Sequence, residues 1–483
     1  MRKQSTKTRL MILATALLLA WVGISCKNNN RPAEGGGLDL SRPDDITNII
    51  SNPGGLLRDD ELGNWDNKMI QIRLLAESDE TSYKRNPVIA TLDGDVTGSG
   101  IVTVFERRKV GTSGDRDIAI NGSSLVELAY QYSPNGGNEF GAEGVIGEEA
   151  TDPTLSRGAP VVFTSGKTVA VVAAAGSGFY GFRSPGSEIK IIKGTAVGGG
   201  VNTINWQTWE ELNITHGNYT GSEAIREYVK EKMGANYTTI YLRSGQGQIS
   251  GSTWVLTLSV VDFVENQHGY FGALVIYSTD GNEWKFGPYK KHQGSTTVPW
   301  WPYDSSSDYR EARGVLFDGN TVTAMAAPEA IGDSTPKPLA LYKGNYNSTD
   351  EMTLTTTGIL DATGGFELAE NKKNNTHYFI NTRKRVTSYN KILTIAEVSS
   401  DVNLIGAEMK MTGVSGVGSV AVLADGSLVT IAEEAFTLGS TTRETKFNIV
   451  QRRFTPGYMK ANSMIIGDER YFNPGYDIGD MDN

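Results

Sequence analysis

From residue 68 onward the apolar positions fall in short runs, each about the length of one strand and closed by turn residues. "APVVFTSGKTVAVVAAA" (159–175) shows the pattern, two β-branched runs turning at Ser165-Gly166. Asp-Gly pairs punctuate "IATLDGDVTGSGIVTVF" (89–105), "GVLFDGNTVTAMA" (314–326) and "AVLADGSLVTIAE" (421–433), each a signal for a tight hairpin turn. Only "GSEAIREYVKEKMG" (221–234) has helical spacing. Ile225, Tyr228, Val229 and Met233 share a face there, with Ser222 as the expected cap and Gly234 as the stop. One short helix among about two dozen strand-like runs predicts an all-β sandwich, barrel or propeller.

A repeated unit separates these options. "YSPNGGNEF" (132–140) and "YSTDGNEW" (277–284) share Ser-x-Asp/Asn followed by Gly and an aromatic residue, the second copy one residue shorter. Fainter echoes are "NSTDEMTL" (347–354) and "SSDVNLIG" (399–406). Such a unit locks a hairpin: the carboxylate or amide oxygen accepts from turn amides, Gly takes the positive φ, and the aromatic ring packs beneath. A lock recurring once per blade predicts a β-propeller. The stretch 277–284 is therefore expected to build the fold and to perform no chemistry.

Charge and composition narrow the partners. The chain has 483 residues, 56 of them Gly, and a formal net charge of −10. An acidic surface argues against nucleic acid, whose phosphates require a basic face. A small anion could still be held by a local group of Arg. His216, His268, His292 and His377 are scattered, so no metal, cofactor or His-based nucleophile is expected.

The N-terminus reads as a leader. Arg2, Lys3, Lys7 and Arg9 precede the apolar "LMILATALLLAWVGIS", which ends at Cys26, the only cysteine. Cys26 after small residues resembles a bacterial lipobox, which implies lipidation and an envelope location, at the outer surface or periplasmic face. Membrane contact would then run through the lipid anchor alone. The expected organisation is a signal peptide over 1–26, a flexible tether over 27–66 and the propeller over 67–483.

Five segments in order resemble the bacterial sialidases, six-bladed propellers whose repeats are Asp-boxes of this kind. They are "YKRNPVIATLDGD" (83–95), "VTVFERRKVGTSGDRDIAI" (102–120), "SGQGQISGSTWVLTLSVVD" (244–262), "REARGVLFDGN" (310–320) and "GVGSVAVLADGSLVTIAEE" (416–434). The resemblance implies a protein that removes terminal sialic acid from glycans with retention of configuration, and therefore sialylated glycans or glycoproteins as partners. Guanidinium suits the sugar's carboxylate because its rigid fork can meet both oxygens. On this likeness Arg85 is the first carboxylate-binding Arg and Glu433 the acid that holds it. Arg108 joins the substrate-binding set, and the third Arg is Arg383 or Arg385. Asp115 would be the acid/base, with Asp117 as the substitute, and Glu311 the base that activates a Tyr nucleophile.

Two family features are absent in register. No Arg stands in the few residues after "TVTAMAAPEA" (321–330), where family members place one, and the family's Gly-Tyr-Ser segment aligns with Gly416-Val417-Gly418-Ser419. Tyr389 is the substitute nucleophile. Loss of turnover, leaving a surface sialoglycan-binding protein, is the alternative. A structural propeller with another partner is the third reading. Trp300 and Trp301 are equally suited to stacking on a sugar and to packing between blades.

Overall fold

The computed structural model describes residues 68–92, 99–110, 125–176, 187–235, 237–264, 267–291, 309–328, 338–360, 362–372, 374–384, 391–411, 415–437 and 446–464. All of the described residues belong to one compact unit of the chain, Arg58–Asn483.

The described residues form a six-bladed β-propeller. Blade 1 is built from Ser82–Leu92, Gly100–Lys109, Val126–Ser133 and Gly144–Val145, and blade 2 from Arg157–Ser165, Thr168–Ala175 and Glu188–Val197 with short outer partners. In blade 3, Gln248–Ser250 and Tyr237–Tyr241 share the inner place beside Thr253–Val264, followed by Gln267–Ser278 and Trp284–Lys290. Blade 4 runs from Tyr309–Phe317 to Thr353–Leu360, and blade 5 from Ala362–Asn371 to Glu408–Lys410, with Ser463–Met464 added at its edge. Blade 6 takes Ser415–Val422, Leu428–Thr437 and Lys446–Phe454, and its fourth strand is Met69–Ala76 from the other end of the unit. This antiparallel pairing of Met69–Ala76 with Lys446–Phe454 closes the ring.

Each sheet faces a neighbouring sheet on both sides, which explains strands that are apolar throughout. Thr168–Ala175 is buried at every position after its first. Six apolar clusters fill the six gaps between blades. Between blades 2 and 3, Phe163 stacks on Trp254 with ring centroids 5.1 Å apart and meets Trp284 edge-on at 6.1 Å. Trp284 is the aromatic residue of the second hairpin lock, so the lock fastens its turn to a gap between blades.

Both locks have the expected chemistry. In 277–284, Ser278 Oγ donates to Asp280 Oδ1 (2.9 Å), which also accepts from the amides of Asn282 (2.7 Å) and Glu283 (3.0 Å). In 132–140, Ser133 Oγ donates to Asn135 Oδ1 (2.9 Å) and accepts from the Gly137 amide (3.0 Å). Gly281 and Gly137 take φ values of 72° and 91°. The Asn282 and Glu283 amides, together with Ser278, hold the Asp280 carboxyl well below its ordinary value, at about 2.

The helix spans Gly221–Met233 and buries Ile225, Tyr228, Val229 and Met233 as the spacing predicts. Its cap differs. Thr220 occupies the N-cap, and Ser222 lies inside the first turn, where its Oγ accepts the Ile189 amide at 2.8 Å. A contact 33 residues away in sequence takes up the hydroxyl that was expected to cap the helix. A second helix, Pro456–Ala461, is capped by the Thr455 hydroxyl, which accepts from the Tyr458 amide.

Candidate functional site

The innermost strands line the propeller axis side by side, and their first residues share one end of it. Five of these strands lose register within their opening residues: between Arg85 and Val88, Gly158 and Val161, Tyr309 and Ala312, Ala362 and Phe366, and Ser415 and Gly418. Irregular pairing of this kind redirects side chains and is common beside active sites. The candidate site is this bulged rim.

Arg85 sits in the first of these bulges. Its Nε donates to Glu433 Oε1 at 3.0 Å, although the two residues are 348 positions apart in the chain. The guanidinium carbon lies 4.8 Å from the ring centre of Phe447, a cation–π arrangement on the other side. The Arg85 side chain keeps 11% of its exposure and that of Glu433 keeps none, so the carboxylate is fully buried and the arginine nearly so. Glu433 Oε1 also accepts the Asn86 amide (2.6 Å), and its Oε2 accepts the Val417 amide (3.2 Å). Gly416 makes room for this acid, since a Cβ there would stand 1.5 Å from Glu433 Oε2.

Arg108 is buried and donates from Nε to Glu106 Oε2 at 2.7 Å. Glu106 was not singled out in the sequence, although its spacing of two from Arg108 puts both on one face of their strand. Val417 lies next to the Arg85–Glu433 pair, so the position aligned with the family's Tyr is occupied by an aliphatic residue beside that pair. Glu311 lies in the strand Tyr309–Phe317, within its irregular opening, and Arg383 lies in Thr376–Lys384. Asp115, Asp117, Tyr389, Arg385, Cys26, Trp300 and Trp301 lie outside the described residues. The described part of the site therefore brings together Arg85, Arg108, Glu433 and Val417.

Farther along the inner strands another ion pair joins the adjacent blades 4 and 5, one that the sequence did not reveal. Arg313 Nη2 donates to Glu367 Oε1 (2.6 Å) and Nη1 to the Phe366 carbonyl (2.5 Å). The Gln246 amide donates to the same Glu367 oxygen (2.6 Å), while its side chain donates to the Val420 carbonyl (2.5 Å). These contacts join blades 4, 5 and 6 to Gly245–Gln246, a short strand between the two inner pieces of blade 3 that pairs with the inner strand of blade 2. Burial lowers the Arg313 pKa and raises that of Glu367, each opposed by the partner's charge. A small cavity beside the pair is lined by Arg243, Gln246, Gln248, Thr257 and Arg313.

No family model and no curated protein matches the chain. Solved structures do match. The Trypanosoma rangeli sialidase superposes with a TM-score of 0.54 at 12% identity, over 80% of this chain and 60% of that one. The Hadza microbial sialidase gives 0.51 at 11% identity, over 78% of this chain and 66% of the other. A Dyadobacter fermentans protein of unknown function gives 0.51 at 12%, over 79% of this chain and 98% of its own length. The chain thus spans about 60% of the trypanosomal enzyme, and at these identities the likeness establishes the propeller fold alone.

Proposed function

We propose that the protein recognises sialylated glycans at the bulged rim and acts on them as an exo-α-sialidase of the retaining kind. The observation that carries this reading is the Arg85–Glu433 clamp: a guanidinium at the mouth of the axis, oriented from behind by a buried carboxylate. A held fork suits a carboxylate borne by a sugar. The Trypanosoma rangeli sialidase, which shares this fold, has been solved with sialic acid and with the inhibitor DANA. In this reading Arg85 and Arg108 bind the sugar, joined by Arg385 or Arg383. Asp115 protonates the leaving oxygen, and Glu311 activates Tyr389 as the nucleophile. Lipidation at Cys26 would tether the propeller to the cell envelope.

A second reading has a specific observation in its favour. Val417 stands beside Glu433, and an aliphatic side chain cannot attack an anomeric carbon. A propeller with this residue, and without Tyr389 in reach, would hold sialoglycans without cleaving them.

Hydrolysis of a fluorogenic sialoside by residues 27–483, compared with Arg85→Ala, tests both. Fluorophore release that Arg85→Ala abolishes supports the enzyme. No release together with saturable, Arg85-dependent binding of sialic acid by calorimetry supports capture. Neither release nor binding overturns both readings.

A further inference from the structure

We infer that Glu106 is a positioning residue for Arg85, acting through Asn86; the inference rests on the sialoglycan reading above. Arg85 and Glu106 are Cα partners across the first two strands of blade 1, and pairing resumes only at Val88 opposite Val104. Two residues, Asn86 and Pro87, therefore face the single Phe105, and the bulge determines where Arg85 points. Asn86 makes the turn at φ 52°, a left-handed conformation that Asn tolerates better than most residues.

Two buried carboxylates hold that conformation. Glu433 Oε1 takes the Asn86 amide at 2.6 Å, and Glu106 Oε1 takes the Asn86 side-chain Nδ2 at 3.0 Å. The same Glu106 oxygen accepts the amide of Ala159 at 2.7 Å. Ala159, on the innermost strand of blade 2, is also left-handed, with φ 49°. A lone Ala adopts this conformation only where the surroundings impose it. Glu106 Oε2 meanwhile receives Arg108 Nε at 2.7 Å. One carboxylate with no exposure thus ties two left-handed bulges on adjacent blades and an arginine of the proposed sugar-binding set. A carboxylate so deeply buried is costly unless its hydrogen bonds are satisfied, and every partner described for it belongs to the rim.

Glu106 does not touch the proposed ligand carboxylate. Its effect should appear as a loss of Arg85's selectivity for a carboxylate over a neutral group. Two substitutions probe this. Glu106→Gln keeps the shape but turns an amide N–H group toward either Arg108 or the Asn86–Ala159 donors. Asn86→Gly removes the link to Glu106 while allowing φ 52° freely, which keeps the test valid should Glu106→Gln fold poorly.

The measurement is calorimetric affinity for N-acetylneuraminic acid and for its methyl ester, in wild type, Arg85→Ala, Glu106→Gln and Asn86→Gly. The expected result is that wild type prefers the acid, Arg85→Ala loses the preference, and Glu106→Gln narrows it by about tenfold, the scale of a hydrogen bond to a charged group. Asn86→Gly should narrow it by less. A merely destabilised protein would lose active fraction for both ligands and keep the ratio. Loss of the preference in Arg85→Ala with the wild-type ratio in both other variants would overturn the positioning role and leave the sialoglycan reading standing. A wild-type preference retained in Arg85→Ala, or no binding of either ligand by wild type, would overturn the reading itself and the inference with it.

Discussion

Removing one member of the Arg313–Glu367 pair should cost far more than removing both, and the two single variants should differ in their pH dependence. At 2.6 Å the two charges attract by about 6 kcal/mol at an effective dielectric constant of about 20. Taking both ions out of water costs several kcal/mol each. The net value of the pair is therefore near zero, whereas either charge alone is strongly unfavourable. Glu367→Leu leaves the guanidinium fully buried with only the Phe366 carbonyl and should lose about 3–5 kcal/mol. Arg313→Met leaves the Glu367 carboxyl, whose pKa burial already raises and which the loss of Arg313 raises further. A carboxyl with a raised native-state pKa can neutralise by taking a proton. Its destabilising effect is therefore absent below the unfolded value and grows as pH rises through the native one. Arg313→Met should thus be most damaged at neutral and alkaline pH and recover toward pH 5, while Glu367→Leu should stay damaged throughout. The double variant Arg313→Met/Glu367→Leu should lie within about 1 kcal/mol of wild type, or above it. Urea unfolding of the four proteins between pH 5 and 8 measures all of this. A double variant as unstable as the sum of the singles would refute the reasoning, and so would parallel pH profiles for the two singles.

Other expectations follow from local geometry. Gly416→Ala should push Glu433 away from Arg85, because the new Cβ would stand 1.5 Å from Oε2; a loss of about 1–3 kcal/mol and weaker sialic acid binding are expected from thermal unfolding and calorimetry. The Asp280 carboxyl should titrate near 2 by carbon-13 NMR. The stability it confers is complete above its ordinary value of 3.8 and is lost as pH falls through about 2, so a midpoint near 4 would contradict the lock. Trp284→Ala should cost about 3–5 kcal/mol in chemical unfolding, since it empties the gap between blades 2 and 3 beside Phe163.

What the sequence revealed was what the chain does within a few residues of itself. The Ser278–Asp280 lock closes over three positions and uses residue types that have few other reasons to occur together. Even a faint copy is chemically sound. Ser348 Oγ donates to Asp350 Oδ2, the Asp350 amide donates back to Ser348, and buried Met352 takes the aromatic residue's place. Arg85 and Glu433 could be paired in advance only through resemblance to a family, because the ring must close before they meet. Arg313, Glu367 and Gln246 carried no such signal. They are brought together by three different blades or linkers, and nothing near any of them in the chain points to the others. Ser222 shows the same limit in reverse: its local pattern specified a cap, and a strand from elsewhere took its hydroxyl.

The most direct test of the proposed role of the rim is a crystal structure of the protein soaked with sialic acid. The ligand carboxylate is expected at the mouth of the propeller axis, with an oxygen about 3 Å from an Arg85 guanidinium nitrogen and Glu433 still behind it. A sugar bound elsewhere, or one at the rim whose carboxylate turns away from Arg85, would contradict it.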